Sequence, residues 1–284
     1  MLYQWIRLLK ANDPGTLTDV SLRNQDETIS EVMDTVPTGS SYLYIGQHFP
    51  FNNFFMQLDQ PNAVQTTLQV QYWGGESVGW KDAVDVLDGT DTSGVPLAKS
   101  GVVQFSPNTT NSWQTVADTT NGPTPTELTS VAIYNVYWIR IRWALALTAT
   151  TSIKRLAYAF TQSQQLDNID TTINQFLTSF GAAKTDWNDQ IMTASIQLVN
   201  DLKGRGLIIS PGQILRFDDV SMACDYKALE LIYSNLGPAY HEKMLNAETK
   251  YNRMSSLRRF TFDKDMNAFT DRGEIVNTVS RLVR

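Results

Sequence analysis

The chain has 284 residues, 42% of them apolar, and a formal net charge of -6 from 23 Lys and Arg against 29 Asp and Glu. That length allows one large domain or two smaller ones, and the acidic balance argues against a surface that wraps nucleic acid throughout, leaving only a locally basic patch open. The single cysteine, Cys224, excludes an internal disulfide framework and any zinc site built from several thiolates, so the fold must stand on packing.

The opening MLYQWIRLLKANDPG is too short and too interrupted to read as a signal peptide. Six of the seven tryptophans (Trp5, Trp73, Trp80, Trp113, Trp138 and Trp143) fall before about residue 160, with most of the Gly and Pro. Aromatic and β-branched side chains suit a pleated surface while Gly, Pro and Asn set turns, so this part reads as β. Val64 to Trp73 predicts a strand with Leu68, Val70 and Tyr72 on one face, and Gly74-Gly75 allows the chain to reverse. Trp80 to Val86 predicts the next strand, and Val102 to Phe105 another. Val131 to Trp143 is apolar on much of both faces, which suits a central strand; Arg140 and Arg142 interrupt it and argue against a membrane span. Sheets with one apolar face each are most economically buried as a β-sandwich.

After residue 170 the period changes from two to about 3.6. Trp187, Ile191, Ala194, Leu198 and Leu202 form one stripe on a helix predicted from Ala182 to Lys203, with Gly204 and Gly206 at its end and Ser210-Pro211-Gly212 in the next connection. Ala228, Leu231 and Ile232 make a second stripe, and Met244, Ala247, Tyr251 and Met254 a third. The expected fold class is therefore α+β: an amino-terminal β-sandwich over residues 1–165, a small helical domain over 166–256, and a tail over 257–284. The tail carries Arg258, Arg259, Lys264, Arg272, Arg281 and Arg284 against Asp263, Asp265, Asp271 and Glu274, whereas the two preceding regions are each net acidic. Such asymmetry fits either docking onto an acidic partner or an ordinary solvated tail.

Residues able to do chemistry are few. His48, in GQHFPFNNFF, and His241, in a polar helical stretch, have no neighbouring nucleophile or orienting acid in sequence, and Cys224 lies among apolar neighbours, so all three read as structural. There is no glycine-rich phosphate loop, dinucleotide fingerprint or HExxH pair. Asp82, Asp85, Asp88 and Asp91 cluster in one segment, where turns account for Asp88 and Asp91 more cheaply than a glycosidase pair does. No catalytic residue and no cofactor is expected. The sharpest pattern is Asp263, Asp265, Asn267, Phe269, Asp271 and Glu274, whose oxygens match the spacing of a calcium loop. Ala268 stands where that loop needs glycine, so a polar β-turn is the better reading and no metal is assigned.

The segments SYLYIGQHFPFNNFFMQL, LQVQYWGGESVGWKDAVDVLDGT, GVVQFSP and IYNVYWIRIRW, with KTDWNDQIMTASIQLVNDLKGRG, KALELIYSNLG and FTFDKDMNAF after them, resemble the head-to-tail connector (neck adaptor or collar) proteins of tailed bacteriophages over roughly residues 40 to 270. The resemblance implies a noncatalytic virion protein: a β-rich collar domain, a helical adaptor domain and a tail that docks into the portal. It implies as partners further copies in a homo-oligomeric ring of about twelve, the portal protein, a downstream neck or tail-completion protein, and packaged DNA in transit. The implied location is the portal vertex of the virion, after assembly in the host cytoplasm. Two alternatives remain open: a baseplate or fibre-attachment protein, and a carbohydrate-binding module or glycosidase that would use Trp73, Trp80 and Trp113.

Overall fold

The run VYWIRIRW carries large side chains on both faces of its pleat, and a strand of that kind gains most when neighbours cover it on each side. The computed structural model describes residues 6–13, 16–26, 41–108, 113–116, 128, 135–181, 184–214, 216–257, 259–263 and 275–277. It places this run as β10 (Val136–Trp143) between β3 (Leu43–Gln47) and β5 (Leu68–Trp73), antiparallel to both. Outside β3 lie β1 (Arg7–Asp13) and then β2 (Thr16–Asp19); outside β5 lies β6 (Trp80–Asp82), and β9 (Thr115–Val116) also pairs with β10. The second sheet runs β11 (Ser152–Ala157), β4 (Asn53–Gln60), β8 (Gly101–Ser106) and β7 (Val84–Asp88). Trp113 joins the two, with Tyr72 and Phe105 each 6.1 Å from it between ring centroids and Phe51 at 5.2 Å.

The β-sandwich with a small helical domain after it is not what forms. The chain is a mixed α/β fold with two open sheets and six α-helices among the described residues. One reason lies at Ala83. The alternation predicts a single strand from Trp80 to Val86, but the chain changes sheets there: β6 pairs with β5, and β7 pairs with β8 in the other sheet. The Ala83 N–H still donates to Val70 O at 2.9 Å, and Asp85 then takes φ of +52°, with a register shift between Val84 and Leu87. A period of two cannot distinguish a strand that stays in one sheet from one that crosses to another. The helical content is also larger than expected and is not confined to one region, since α1 (Ser21–Gln25) lies among the first strands.

That short helix closes an edge. The Asn24 side chain accepts the Leu156 N–H and donates to the Leu156 carbonyl, each at 2.8 Å, so its amide stands where a further strand would pair with β11. Arg155 reinforces the contact by donating to Asp26 O at 2.8 Å.

The described residues divide into two compact units, one within Met1–Ala157 and one from Tyr158 onward. The second holds α2 (Ser163–Ile169), α3 (Leu177–Phe180), α4 (Asn188–Gly204), α5 (Phe217–Asn235), α6 (His241–Leu257) and the strand pair β12 (Arg259–Thr261) and β13 (Ile275–Asn277). The stripe Trp187, Ile191, Ala194, Leu198 and Leu202 is wholly buried, as its spacing predicts. Gly206, at φ +68°, ends α4: its N–H donates to Lys203 O at 2.9 Å while Leu207 N–H donates to Leu202 O at 3.0 Å, the paired bonds that a left-handed glycine permits. The first residues of the tail belong to this unit. Phe260 and Phe262 stack at 5.5 Å and are fully buried, and Thr261 N–H donates to the Asp219 carboxylate at 3.1 Å.

Two substitutions test this architecture. Asn24→Ala strips a buried strand edge of both partners and should cost about 2 kcal/mol in urea unfolding of the full chain, since each buried orphan costs roughly 1–3 kcal/mol. Gly46→Ala would place a Cβ 2.6 Å from Val136 and 2.8 Å from the buried Trp138 ring. Crowding of that kind costs about 1–3 kcal/mol, and an unchanged unfolding midpoint would contradict the packing.

Candidate functional site

A cluster of interacting polar groups in the helical unit forms where α2 ends and α5 meets α6. Gly237 at φ +92° and Pro238 turn the chain between those two helices, so they run as an αα-hairpin. Residues seven apart on each helix then face each other in pairs. Lys243 Nζ lies 5.4 Å from the Tyr233 ring centroid, and Lys250 Nζ lies 5.0 Å from that of Tyr226. Between these pairs is a concavity of about 310 Å³, lined also by Leu229, Asn246 and Ala247 from the hairpin and by Ile169 and Asp170 from α2.

Asp170 is the node. Its Oδ1 accepts the Thr172 N–H at 3.0 Å and the Thr172 hydroxyl at 2.6 Å, while Oδ2 accepts the Tyr233 hydroxyl at 2.6 Å and Lys243 Nζ at 2.8 Å. Desolvation alone would raise this carboxyl, but the bonds from Lys243, Thr172 and Tyr233 outweigh it and hold it well below the usual carboxylate range. Burial and the bond to Asp170 push the Tyr233 hydroxyl up, so that it remains a donor. The arrangement can fix one helix end, present cations over aromatic rings and receive an anionic or apolar side chain. It holds no pair of nucleophile and base.

The other groups with displaced proton affinities are internal. Cys224 is buried against Ser195, with 3.2 Å between sulfur and hydroxyl, and burial pushes its thiol up to about 12, away from the thiolate form. Asp225 is raised to about 6 by burial, against the opposing bond from the Thr161 hydroxyl. The Tyr251 hydroxyl, pushed up by burial and by its bond to Asp201, ties α6 to α4.

The sequence candidates are dispersed. His48 and His241 are both exposed and fall in different units, and His48 Nδ1 lies 3.4 Å from Asn135 O. Asp88 and Asp91 serve turns: Asp88 accepts from the Thr90 N–H and hydroxyl, and Asp91 accepts the Gly94 N–H at 3.0 Å. Trp73 and Trp113 are buried, and Trp80 is half-buried with the Arg140 guanidinium 4.6 Å from its ring centroid. Of the calcium-like set, Asp263 is buried, its N–H donating to Gln213 O at 2.9 Å and its carbonyl accepting Gln213 Nε2 at 2.7 Å; Asp265, Asn267, Phe269, Asp271 and Glu274 lie outside the described residues. Among the described residues there is no cluster of three or more His, Cys, Asp or Glu that could hold a metal ion, and no helix long and apolar enough to cross a membrane. The groove residues Asp170, Tyr226, Tyr233, Lys243 and Lys250 were not singled out from sequence. The equal spacing of Tyr226 and Tyr233 on one helix and of Lys243 and Lys250 on the next was the available signal.

No protein-family model, curated protein or solved structure matches this chain. The expectation of a bacteriophage head-to-tail connector with neck, collar and portal-adaptor parts is corrected accordingly: no match links this chain to that geometry.

Among the internal groups, Asp225 gives a pH prediction. Its folded-state value lies above the ordinary 3.8, so the folded chain binds more protons than the unfolded chain between about pH 4 and pH 6. Stability should therefore fall as pH rises through that window, by up to roughly 3 kcal/mol. Asp225→Asn should flatten the dependence of melting temperature on pH between pH 4 and 7; an unchanged slope would assign the effect elsewhere. Asp170 acts in the opposite sense and lower down, its contribution being lost only as strong acid protonates it.

Proposed function

We propose that this protein is a noncatalytic structural subunit of a virion that joins the head to the neck or tail, and that it works beside further copies of itself. The observation that carries the reading is how the chain spends its reactive groups. Asp88 closes a turn, Asp170 ties a helix end, Cys224 and Asp225 are buried in a helix core, and Tyr251 staples two helices. Groups with displaced proton affinities mark candidate active sites only when they converge on a cleft with a plausible nucleophile. Here they serve packing.

Surface features support the same reading. Leu22, Leu87, Leu145, Ile209 and Leu245 are all more than two-fifths exposed, and they are spread over both units. They leave small apolar places open to contact on each unit. A protein of net charge -6 that meets packaged DNA only in transit also avoids holding it.

Particles assembled without this protein should contain DNA but fail to retain a tail. Counting tailed particles by electron microscopy, with and without the protein, tests this directly; normal tail occupancy in its absence would refute the assignment.

A further inference from the structure

The groove between α5 and α6 is only half used. Lys243 is committed to Asp170 at 2.8 Å, whereas Lys250 lies over Tyr226 and meets no carboxylate among the described residues. Leu229 and Ala247 line the same concavity, and Ile169 beside them is 40% exposed. An uncompensated cation beside an apolar lining selects an apolar side chain with a carboxylate close by in sequence.

That chemistry occurs on this chain at β7, an edge strand of the four-stranded sheet. Val84 is 39% exposed and Leu87 63%. Asp85 between them is exposed and has no cationic partner among the described residues. Its left-handed backbone and the register shift beside it spoil this edge as a template for another strand, so what it offers a partner is side chains rather than ladder hydrogen bonds. Asp88 is already engaged by Thr90, which leaves Asp85 as the available charge.

We propose that the α5–α6 groove of one copy receives the β7 edge of a second copy, with Leu87 on the Leu229 and Ala247 lining and Asp85 paired with Lys250. The inference rests on the reading of the chain as a subunit that works beside copies of itself, and it supplies the contact between unlike surfaces from which rings are built. A concavity of about 310 Å³ admits a leucine side chain with a neighbouring carboxylate. Because each copy carries a net charge of -6, the copies repel at long range, and the attraction must come from local complementarity of this kind.

The test is sedimentation equilibrium of the full chain, comparing the unaltered protein with Lys250→Asp, Asp85→Lys, Leu87→Ser and the charge-swapped double variant Lys250→Asp with Asp85→Lys. Each single change should weaken self-association about tenfold, and the double variant should recover to within about threefold of the unaltered protein. All three positions are surface residues, and matching melting curves would show that the fold is retained. Single variants that associate as tightly as the unaltered chain, or a double variant no tighter than the weaker single, would overturn the proposed contact. So would an unaltered chain that stays monomeric at high concentration. If tail retention still depends on the protein in that case, this contact fails while the joining role stands; if it does not, the joining role fails on its own test.

Discussion

The larger sheet of the amino-terminal unit is registered from β10. Its backbone is shared between β3 and β5, so the pairs Trp138 with Gly46 and Ile139 with Tyr72 fix both neighbours at once. Because successive side chains alternate faces, a slip of one residue would exchange Trp138 for Ile139 and carry Arg140 to the face that buries Ile141. Gly46 shows how tight that register is, since the space its absent side chain would need is filled by Val136 and Trp138. Further along the strand, the Arg140 guanidinium lies 4.1 Å from the Tyr42 ring centroid, and its Nε donates to Gln71 at 2.7 Å. Arg142 repeats the bond with Gln69 at 2.6 Å. Charge is thus held on the same face as buried tryptophan by aromatic and amide neighbours, with no carboxylate bonded directly to Arg142 among the described residues.

The helical unit is registered differently, by one carboxylate and one turn. Gly237-Pro238 fixes the return of the chain, and the return sets Tyr226 and Tyr233 beside Lys250 and Lys243. Asp170 then decides which of the two lysines is used internally. Its Oδ1 holds the local turn through Thr172, while its bonds from Tyr233 and Lys243 draw α2, α5 and α6 together at one end of the hairpin and leave the other end with a cation to spare. The asymmetry of the groove arises from where α2 stops.

What could be read from sequence was local. The spacing of Trp187, Ile191, Ala194, Leu198 and Leu202 requires only one helix and one core, and Gly206 after it only a backbone angle. The central place of β10 was legible because both of its faces are apolar, and the reversal at Gly74-Gly75 because Gly75 sits at φ +95°. Ala83 was illegible, since the hydrogen-bond partners that separate β6 from β7 lie in two other strands. Asp170 was illegible for the same reason: its partners Tyr233 and Lys243 are 63 and 73 residues away. Asn24 closing β11 from 132 residues off is a third case, a turn-forming residue whose amide takes the role of a strand. Sequence patterning reports periods and turns; it does not report which distant group completes a hydrogen bond.

The same distinction bears on function. A catalytic reading needs reactive groups brought together, and in this chain long-range pairing brings them to structural ends instead: Asp170 to a helix junction, Asp201 to Tyr251, Asp225 to Thr161. Each of these carboxylates is satisfied by a neighbour that fixes one element against another. The groups left over are of another kind. Lys250 stands over a ring, and Asp85 stands on a strained edge, each without an opposite charge nearby among the described residues. The chain thus keeps several of its acids for internal rigidity, and the two charges left at exposed places, Lys250 and Asp85, are those that the proposed contact between copies would pair.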